Sequence, residues 1–176
     1  MEWLFFILIL GLVLVFWFKK RDNSDETISY KVRDGKTLKV DEVSEALASG
    51  DLKRMINALE LNTHPIDRHY LLLELVRITY KGRKTDPKKM ELCESIAWKH
   101  IEEFPKLAGP LKSDDENGSL PHVPTFQLLA TLLTEKGEYD KAIEVCKKAI
   151  EFGLDDLTKK GYEGRIHRIT KLKLKK

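Results

Sequence analysis

The chain has 176 residues, about the length of one domain. Hydrophobic residues make up 42% of it and charged residues 34%, a composition that excludes a disordered chain, a collagen-like repeat and a polytopic membrane protein. The formal net charge is only +3, and the two cysteines are too few for a disulfide-dense secreted fold or a four-cysteine zinc site.

An uncharged apolar run occupies residues 3–18 and is followed by Lys19, Lys20 and Arg21. As a helix this run spans about 24 Å, and the flanking lysines can extend it towards the roughly 30 Å of a hydrocarbon core. A cleaved signal peptide is the main alternative, but the run has no basic residue before it and no small-residue cleavage site after it. We therefore predict a retained transmembrane anchor at 1–18.

The basic residues after the run also predict the orientation of the anchor. Because positive residues stay on the cytoplasmic side, the N-terminus is expected outside and the rest of the chain in the cytosol. Polar residues 19–27 then form a linker. In the cytosol Cys93 and Cys146 are expected to be reduced, and each lies on an apolar helix stripe where a small buried hydrophobe is expected.

A β-hairpin is predicted at 28–40, where apolar and polar residues alternate on both sides of an Asp-Gly pair. An extended linker is the alternative, since an isolated hairpin is only marginally stable. A three-residue loop pairs Tyr30 with Leu38 and puts all the apolar residues on one face. A two-residue loop pairs Tyr30 with Lys39 and divides them. We predict the three-residue loop because it lets one face dock on the helices.

From residue 41 onward the apolar residues repeat with the period of a helix, which predicts an all-α domain over 41–176. The segment 105–124 contains four prolines and is predicted to be a long loop. A basic capping helix is predicted within 157–176, running from about residue 157 to 174. The remaining helices form three pairs, at 41–62, 68–104 and 123–156.

The pair at 123–156 carries the most specific motif of the sequence. Its residues 136–142 read K-G-E-Y-D-K-A, and the small residues Ala130 and Ala142 allow its two helices to approach closely. This segment resembles a tetratricopeptide repeat, and residues 136–142 match the turn and second-helix start of that family. Phe126 stands where the family usually has tryptophan. The two earlier pairs match only loosely.

The resemblance implies a short α-solenoid, because one repeat cannot bury its own apolar face. An irregular helical bundle is the alternative. An anchor before such repeats is also similar to the layout of proteins in the bacterial inner membrane. In the family, the first helix of a repeat faces a groove that takes a peptide or helix. The resemblance therefore implies a protein or peptide partner, preferably a membrane-associated one, that contacts Gln127, Thr131, Thr134 and Glu135.

A second hypothesis places function in the basic C-terminus. Lysines at four of its last six positions could bind the anionic face of a membrane or a nucleic acid. The absence of an aromatic residue after Tyr162 argues against stacking on bases and makes nucleic acid the weaker choice. A solubilising tail is the remaining alternative. The lysines are Lys171, Lys173, Lys175 and Lys176.

The sequence contains no arrangement of residues typical of catalysis. The five histidines do not follow the H-E-x-x-H spacing, and no C-x-x-C, G-x-S-x-G, Walker A or G-x-G-x-x-G motif is present. We therefore predict a protein that is not an enzyme, with no catalytic residue, no cofactor and no metal site.

Overall fold

The structure is a computed structural model that describes residues 29–33 and 35–175. These residues form a two-stranded antiparallel hairpin followed by seven α-helices. The elements are β1 (Tyr30–Arg33), β2 (Lys36–Lys39), α1 (Glu42–Ser49), α2 (Leu52–Asn57), α3 (Pro65–Gly82), α4 (Pro87–Asp114), α5 (Pro124–Lys136), α6 (Tyr139–Glu151) and α7 (Gly161–Lys173), with one 3-10 turn at Ala58–Glu60 after α2.

This architecture confirms the predicted all-α class and the presence of a small hairpin. None of the helices in the described part of the chain is long and apolar enough to cross a bilayer. The predicted anchor at 1–18 and linker at 19–27 lie outside the described residues.

Local signals in the sequence set the starts of the helices. Asp41 and Asp51 accept hydrogen bonds from the backbone N–H groups of Ser44 and Arg54, at 2.9 and 2.7 Å, and so cap α1 and α2. Helices α3, α4 and α5 each begin with a proline, whose missing N–H would have no partner in a first turn. Gly137 ends α5 in the left-handed conformation, with φ of 80°.

The long loop predicted at 105–124 is wrong over its first half, because α4 continues through Pro105 and Pro110. The two prolines lie away from the core, while Leu107 and Leu111 are buried. Carbonyl groups freed by proline on the solvent side can bond water, which reduces the cost of each proline. The burial of these two leucines therefore stabilises the helix by more than the two prolines destabilise it.

The last helix begins later than predicted, at Gly161. Before it, the carboxylates of Asp155 and Asp156 accept hydrogen bonds from the backbone N–H groups of Leu157 and Thr158, at 2.8 and 3.0 Å. Leu157 has φ of 57°, which a right-handed helix does not allow. The two aspartates thus hold a turn where the sequence pattern predicted helix.

The predicted three-residue loop of the hairpin is also wrong. Tyr30 pairs with Lys39, the register of a two-residue loop. Tyr30 and Val32 consequently face outward, with exposed fractions of 65% and 61%. Lys31 and Arg33 face the helices instead. Ion pairs rather than apolar burial therefore select the register.

The acceptor of these two cations is Asp67, in the first turn of α3 and only 1% exposed. Lys31 Nζ lies 2.8 Å from Asp67 Oδ2, and Arg33 Nε donates to Oδ1 at 2.9 Å. Lys31 Nζ also lies 3.0 Å from Oδ1 of Asp41, the cap of α1. The hairpin thus joins the N-termini of α1 and α3 through charged side chains.

The helices pack on one another in chain order. Contacts join α1 to α3, α3 to α4 and α5, α4 to α5, α5 to α6, and α6 to α7. One continuous hydrophobic core results, from Val43 in α1 to Ile169 in α7. Near its middle, the rings of Phe104, Phe126 and Phe152 form a cluster with centroid separations of 4.9, 5.4 and 6.1 Å. This cluster ties α4 and α5 to the end of α6.

We expect Asp67→Ala to lower the free energy of unfolding of the full chain by about 3 kcal/mol, because two cations lose a buried partner. Pulse proteolysis in urea measures this change. The control is Glu45→Ala, which removes the exposed ion pair with Arg54 and should cost about 0.5 kcal/mol. Equal losses in the two variants would contradict the role given to Asp67.

Candidate partner-binding surface

The four predicted partner-binding residues lie along one side of α5, at spacings of three and four. Gln127, Thr131 and Thr134 are half-buried, and Glu135 is exposed. The Thr134 hydroxyl donates to the carbonyl of Ala130 at 2.6 Å. The Gln127 carboxamide bonds none of the described residues. We call these four residues the α5 polar row. Thr131 and Glu135 form hydrogen bonds to residues outside α5.

Glu135 is held by Arg83, at the end of α3. Arg83 Nε and Nη2 donate to the two carboxylate oxygens at 2.9 and 2.8 Å. The same guanidinium lies 3.6 Å from the ring centroid of Tyr80. The hydrogen bond between Arg83 and Glu135 lowers the pKa of Glu135 and raises the pKa of Arg83. A partner that binds Glu135 must replace a fork-shaped ion pair.

Thr131 is held by Arg165, on α7. Arg165 Nη1 donates to Thr131 Oγ1 at 3.2 Å, while its Nε and Nη2 donate to Oδ2 of the buried Asp156 at 3.2 and 3.1 Å. Burial acts to raise the pKa of Asp156, but hydrogen bonds from Thr158 and Arg165 outweigh it, so the pKa is lowered. The α5 polar row therefore joins α3, α5 and α7 on one side of the domain.

A groove with a volume of about 360 Å³ lies between α1 and α3. Its apolar lining includes Leu47, at the end of α1, and Leu73. Tyr70 is 39% exposed at the groove, which is a large fraction for an aromatic side chain. Arg77 and Glu74 supply its charges and form an exposed pair, with Arg77 Nη1 and Glu74 Oε2 3.7 Å apart. We call this feature the α1–α3 groove.

The α1–α3 groove was not predicted from the sequence. One signal was available: Tyr70 and Arg77 are seven residues apart, two helical turns, and so lie on one side of α3. That side is distinct from the stripe that includes Leu72 and Val76, both of which are completely buried. The groove itself depends on how α1 crosses α3, which periodicity within one helix does not report.

A second pocket, of about 450 Å³, lies between residues 118–122 and the loop after α6. Lys112, His122 and Asp155 contribute polar side chains, and Leu157 contributes an exposed apolar one. Charges of both signs line the pocket, so its electrostatics favour neither an anion nor a cation.

Two histidines are completely buried between α3, α4 and α5. His69 Nδ1 lies 2.9 Å from His100 Nε2, and His100 Nδ1 lies 2.8 Å from Thr125 Oγ1. Burial lowers the pKa of His69 to about 4 and that of His100 to about 3. The charge of Arg77 contributes to the lowered pKa of His69, and His69 and Arg68 contribute to that of His100. Both imidazoles are therefore neutral at pH 7 and form part of the core.

The predicted anionic-surface lysines do not behave as one set. Lys171 and Lys175 are exposed, and neither forms an ion pair with a described residue. Lys173 Nζ, by contrast, donates to Asp140 Oδ1 at 2.5 Å. Lys176 lies outside the described residues.

Cys93 and Cys146 are completely buried, as predicted. Burial raises the pKa of both thiols, to about 11 for Cys146, so both are protonated at neutral pH. Within residues 29–33 and 35–175, no three side chains of His, Cys, Asp or Glu are grouped to hold a metal ion.

Comparison with known proteins adds no relative. No protein-family model matches the chain, and neither a curated protein nor a solved structure matches it.

The histidine pair predicts that stability falls with acidification. The unfolded chain binds protons at these histidines below about pH 6.5, while the folded pKa values of about 4 and 3 keep them neutral. The free energy of unfolding that these two histidines contribute is fully present above about pH 6.5. It is lost as the pH falls towards their folded pKa values. We expect a loss of about 3 kcal/mol from these two groups between pH 7 and 5.

Thermal unfolding of the full chain at pH 7, 6 and 5 measures this dependence. In the double variant His69→Gln, His100→Gln, the unfolding temperature should decrease much less between pH 7 and 5 than in the wild type. The double variant His122→Gln, His167→Gln changes two exposed histidines and should keep the wild-type slope. The same slope in both variants would exclude the buried pair as its cause.

Proposed function

We propose that this protein is a single-pass, membrane-anchored interaction module of the tetratricopeptide type, whose cytosolic domain binds a protein or peptide partner. The observation that carries the proposal is the α1–α3 groove, which offers Tyr70 and an apolar lining without a described segment to fill it. An exposed aromatic side chain beside a concave apolar surface is typical of sites that bind peptides.

The order of packing supports the repeat-like part of the proposal. Alternate helices contact each other, α1 with α3 and α3 with α5, while α4 and α6 pack against the helices on either side of them in sequence. A stack of helix pairs packs in this way, with the first helices of successive pairs side by side. One surface of such a stack then belongs to the first helices alone.

The charges of the α1–α3 groove indicate the chemistry of its partner. Arg77 is about half exposed, and its 3.7 Å contact with Glu74 is too long for a strong ion pair. It is therefore available to a carboxylate of the partner. Leu47 and Leu73 can receive an apolar side chain beside it. We propose a peptide or helix with an apolar residue next to an acidic one.

We propose that part of the α5 polar row also binds the partner, and its four residues divide into two groups. Thr131 and Glu135 are already bonded within the domain, so we assign them to holding α5 beside α3 and α7. Gln127 has its carboxamide open to a partner, and Thr134 lies on the same side of the helix. We propose that these two residues extend the contact that begins in the α1–α3 groove.

The apolar run at 3–18 supports a membrane-associated partner. A tether restricts the domain to a thin layer and raises its effective concentration towards other proteins of that membrane. A groove of about 360 Å³ buries little area, so its intrinsic affinity is expected to be weak. The tether allows a weak groove to be occupied.

Photo-crosslinking from defined positions tests the proposed function. A benzophenone amino acid replaces Tyr70 in the full-length protein within its own membranes. A matched probe replaces Lys147, an exposed residue of α6. We expect a discrete protein adduct from position 70 and none from position 147. Arg77→Ala should reduce the adduct about tenfold, which corresponds to the roughly 1–3 kcal/mol of a charge-assisted hydrogen bond.

The double variant Gln127→Ala, Thr134→Ala tests the contribution of the α5 polar row. It should reduce the adduct less than Arg77→Ala does. If it abolishes the adduct while Arg77→Ala does not, the partner is bound on α5 and not in the α1–α3 groove. Equal adducts from positions 70 and 147 would indicate random collision and would remove the support for an interaction site.

A further inference from the structure

Three exposed cations lie on the outer side of α7 and in the turn that follows it. Arg168, Lys171 and Lys175 are separated by three and four residues, and all three are exposed. Tyr162 and Ile169 lie on the opposite side of the helix and are buried. None of the three cations forms an ion pair with a described residue. We call Arg168, Lys171 and Lys175 the α7 stripe.

Lys173 is excluded from the α7 stripe by its contact with α6. Its ammonium group donates to Asp140, so its charge is used to hold α7 on α6. The sequence-based prediction grouped Lys173 with the neighbouring lysines, but its position on the helix places it on the side of α7 that faces α6. The only acidic residue of α7, Glu163, is separated from Arg168 by five residues and lies off the stripe.

Two leucines next to the α7 stripe are unusually exposed. Leu172 is 47% exposed and Leu174 is 81% exposed. Single exposed leucines need no explanation, but here two of them alternate with exposed lysines at one helix end. Cations and apolar side chains at the same edge match the two parts of a bilayer interface, where headgroups bind the cations and acyl chains receive the leucines.

We infer that the α7 stripe binds the anionic headgroups of a phospholipid bilayer, with Leu172 and Leu174 entering the interface. Bulk charge alone would also suit a nucleic acid. The choice of lipid follows from the apolar side chains: the aromatic residue of α7, Tyr162, is buried and cannot stack on bases, while exposed leucines have no role on a phosphate backbone. This inference does not depend on the α1–α3 groove.

A fluorescent label at the end of α7 tests the inference in the full chain. The Leu174→Cys variant is labelled with NBD maleimide, which should spare Cys93 and Cys146 because both are buried. The protein is reconstituted into vesicles of phosphatidylcholine, or of phosphatidylcholine with 30% phosphatidylglycerol. We expect NBD emission to rise, and to be quenched by brominated acyl chains, only in the anionic vesicles. Salt at about 0.5 M should reverse both effects.

Charge-matched variants assign the effect to the α7 stripe. The first triple variant is Arg168→Gln, Lys171→Gln, Lys175→Gln. Each basic residue removed should weaken membrane binding about fivefold, so the ratio of embedded to free label should fall about 100-fold. Lys53→Gln, Lys106→Gln, Lys147→Gln removes three exposed lysines elsewhere and should leave the ratio unchanged.

Three outcomes would overturn the inference. The first is equal NBD emission in neutral and anionic vesicles. The second is equal loss of the signal in the two triple variants. The third is a salt-sensitive change in NBD emission on adding duplex DNA but not in anionic vesicles. Flotation of the protein with neutral vesicles reports the anchor separately, so failure of the anchor and failure of the α7 stripe are distinguishable.

Discussion

The fold depends on a constraint that acts on every pair of its helices. Two antiparallel helices can bury one side of each against the other, but a second apolar side remains. In this chain each remaining side is covered by the next helix, so the core is continuous from α1 to α7. The cluster of Phe104, Phe126 and Phe152 is the clearest case, because its three rings come from three different segments. No single pair would be stable alone.

Charged side chains fix the positions of elements at both ends of the described chain, in addition to the packing of the apolar core. At one end, Lys31 and Arg33 neutralise Asp67, a carboxylate that would otherwise be buried without a partner. At the other end, Arg165 links Asp156 to Thr131. These contacts are directional, so they fix the hairpin and α7 in positions that apolar packing alone would leave variable.

Sequence patterns predicted those features of the fold that depend on residues close together in the chain. Helical periodicity, capping aspartates and prolines at first turns are local, and they located most of the helices correctly. The register of the hairpin depends on Arg33 meeting Asp67, 34 residues further on, which alternation cannot report. The extension of α4 past Pro105 depends on what Leu107 and Leu111 pack against.

The candidate surface divides in the same way. The sequence indicated that α5 has a polar side, and the structure locates that side between α3 and α7. The sequence could not indicate that Glu135 is already paired with Arg83, because these two residues are 52 positions apart in the chain. The α1–α3 groove has no local signature either, since α1 supplies one wall and α3 the other. Residue type predicts which side of a helix is polar, and packing decides which polar groups remain open to a partner.

The proposed membrane contacts have a geometric consequence for partner binding. A domain attached to a bilayer at a single point can rotate about that point, so a groove on its surface faces the bilayer only part of the time. A second contact through Arg168, Lys171 and Lys175 would restrict that rotation about the tether. The entropy of orientation is then lost once, on membrane binding, and not again when a partner docks. An anionic bilayer would therefore strengthen partner binding in the α1–α3 groove without touching it, provided that the restricted orientation leaves the groove open.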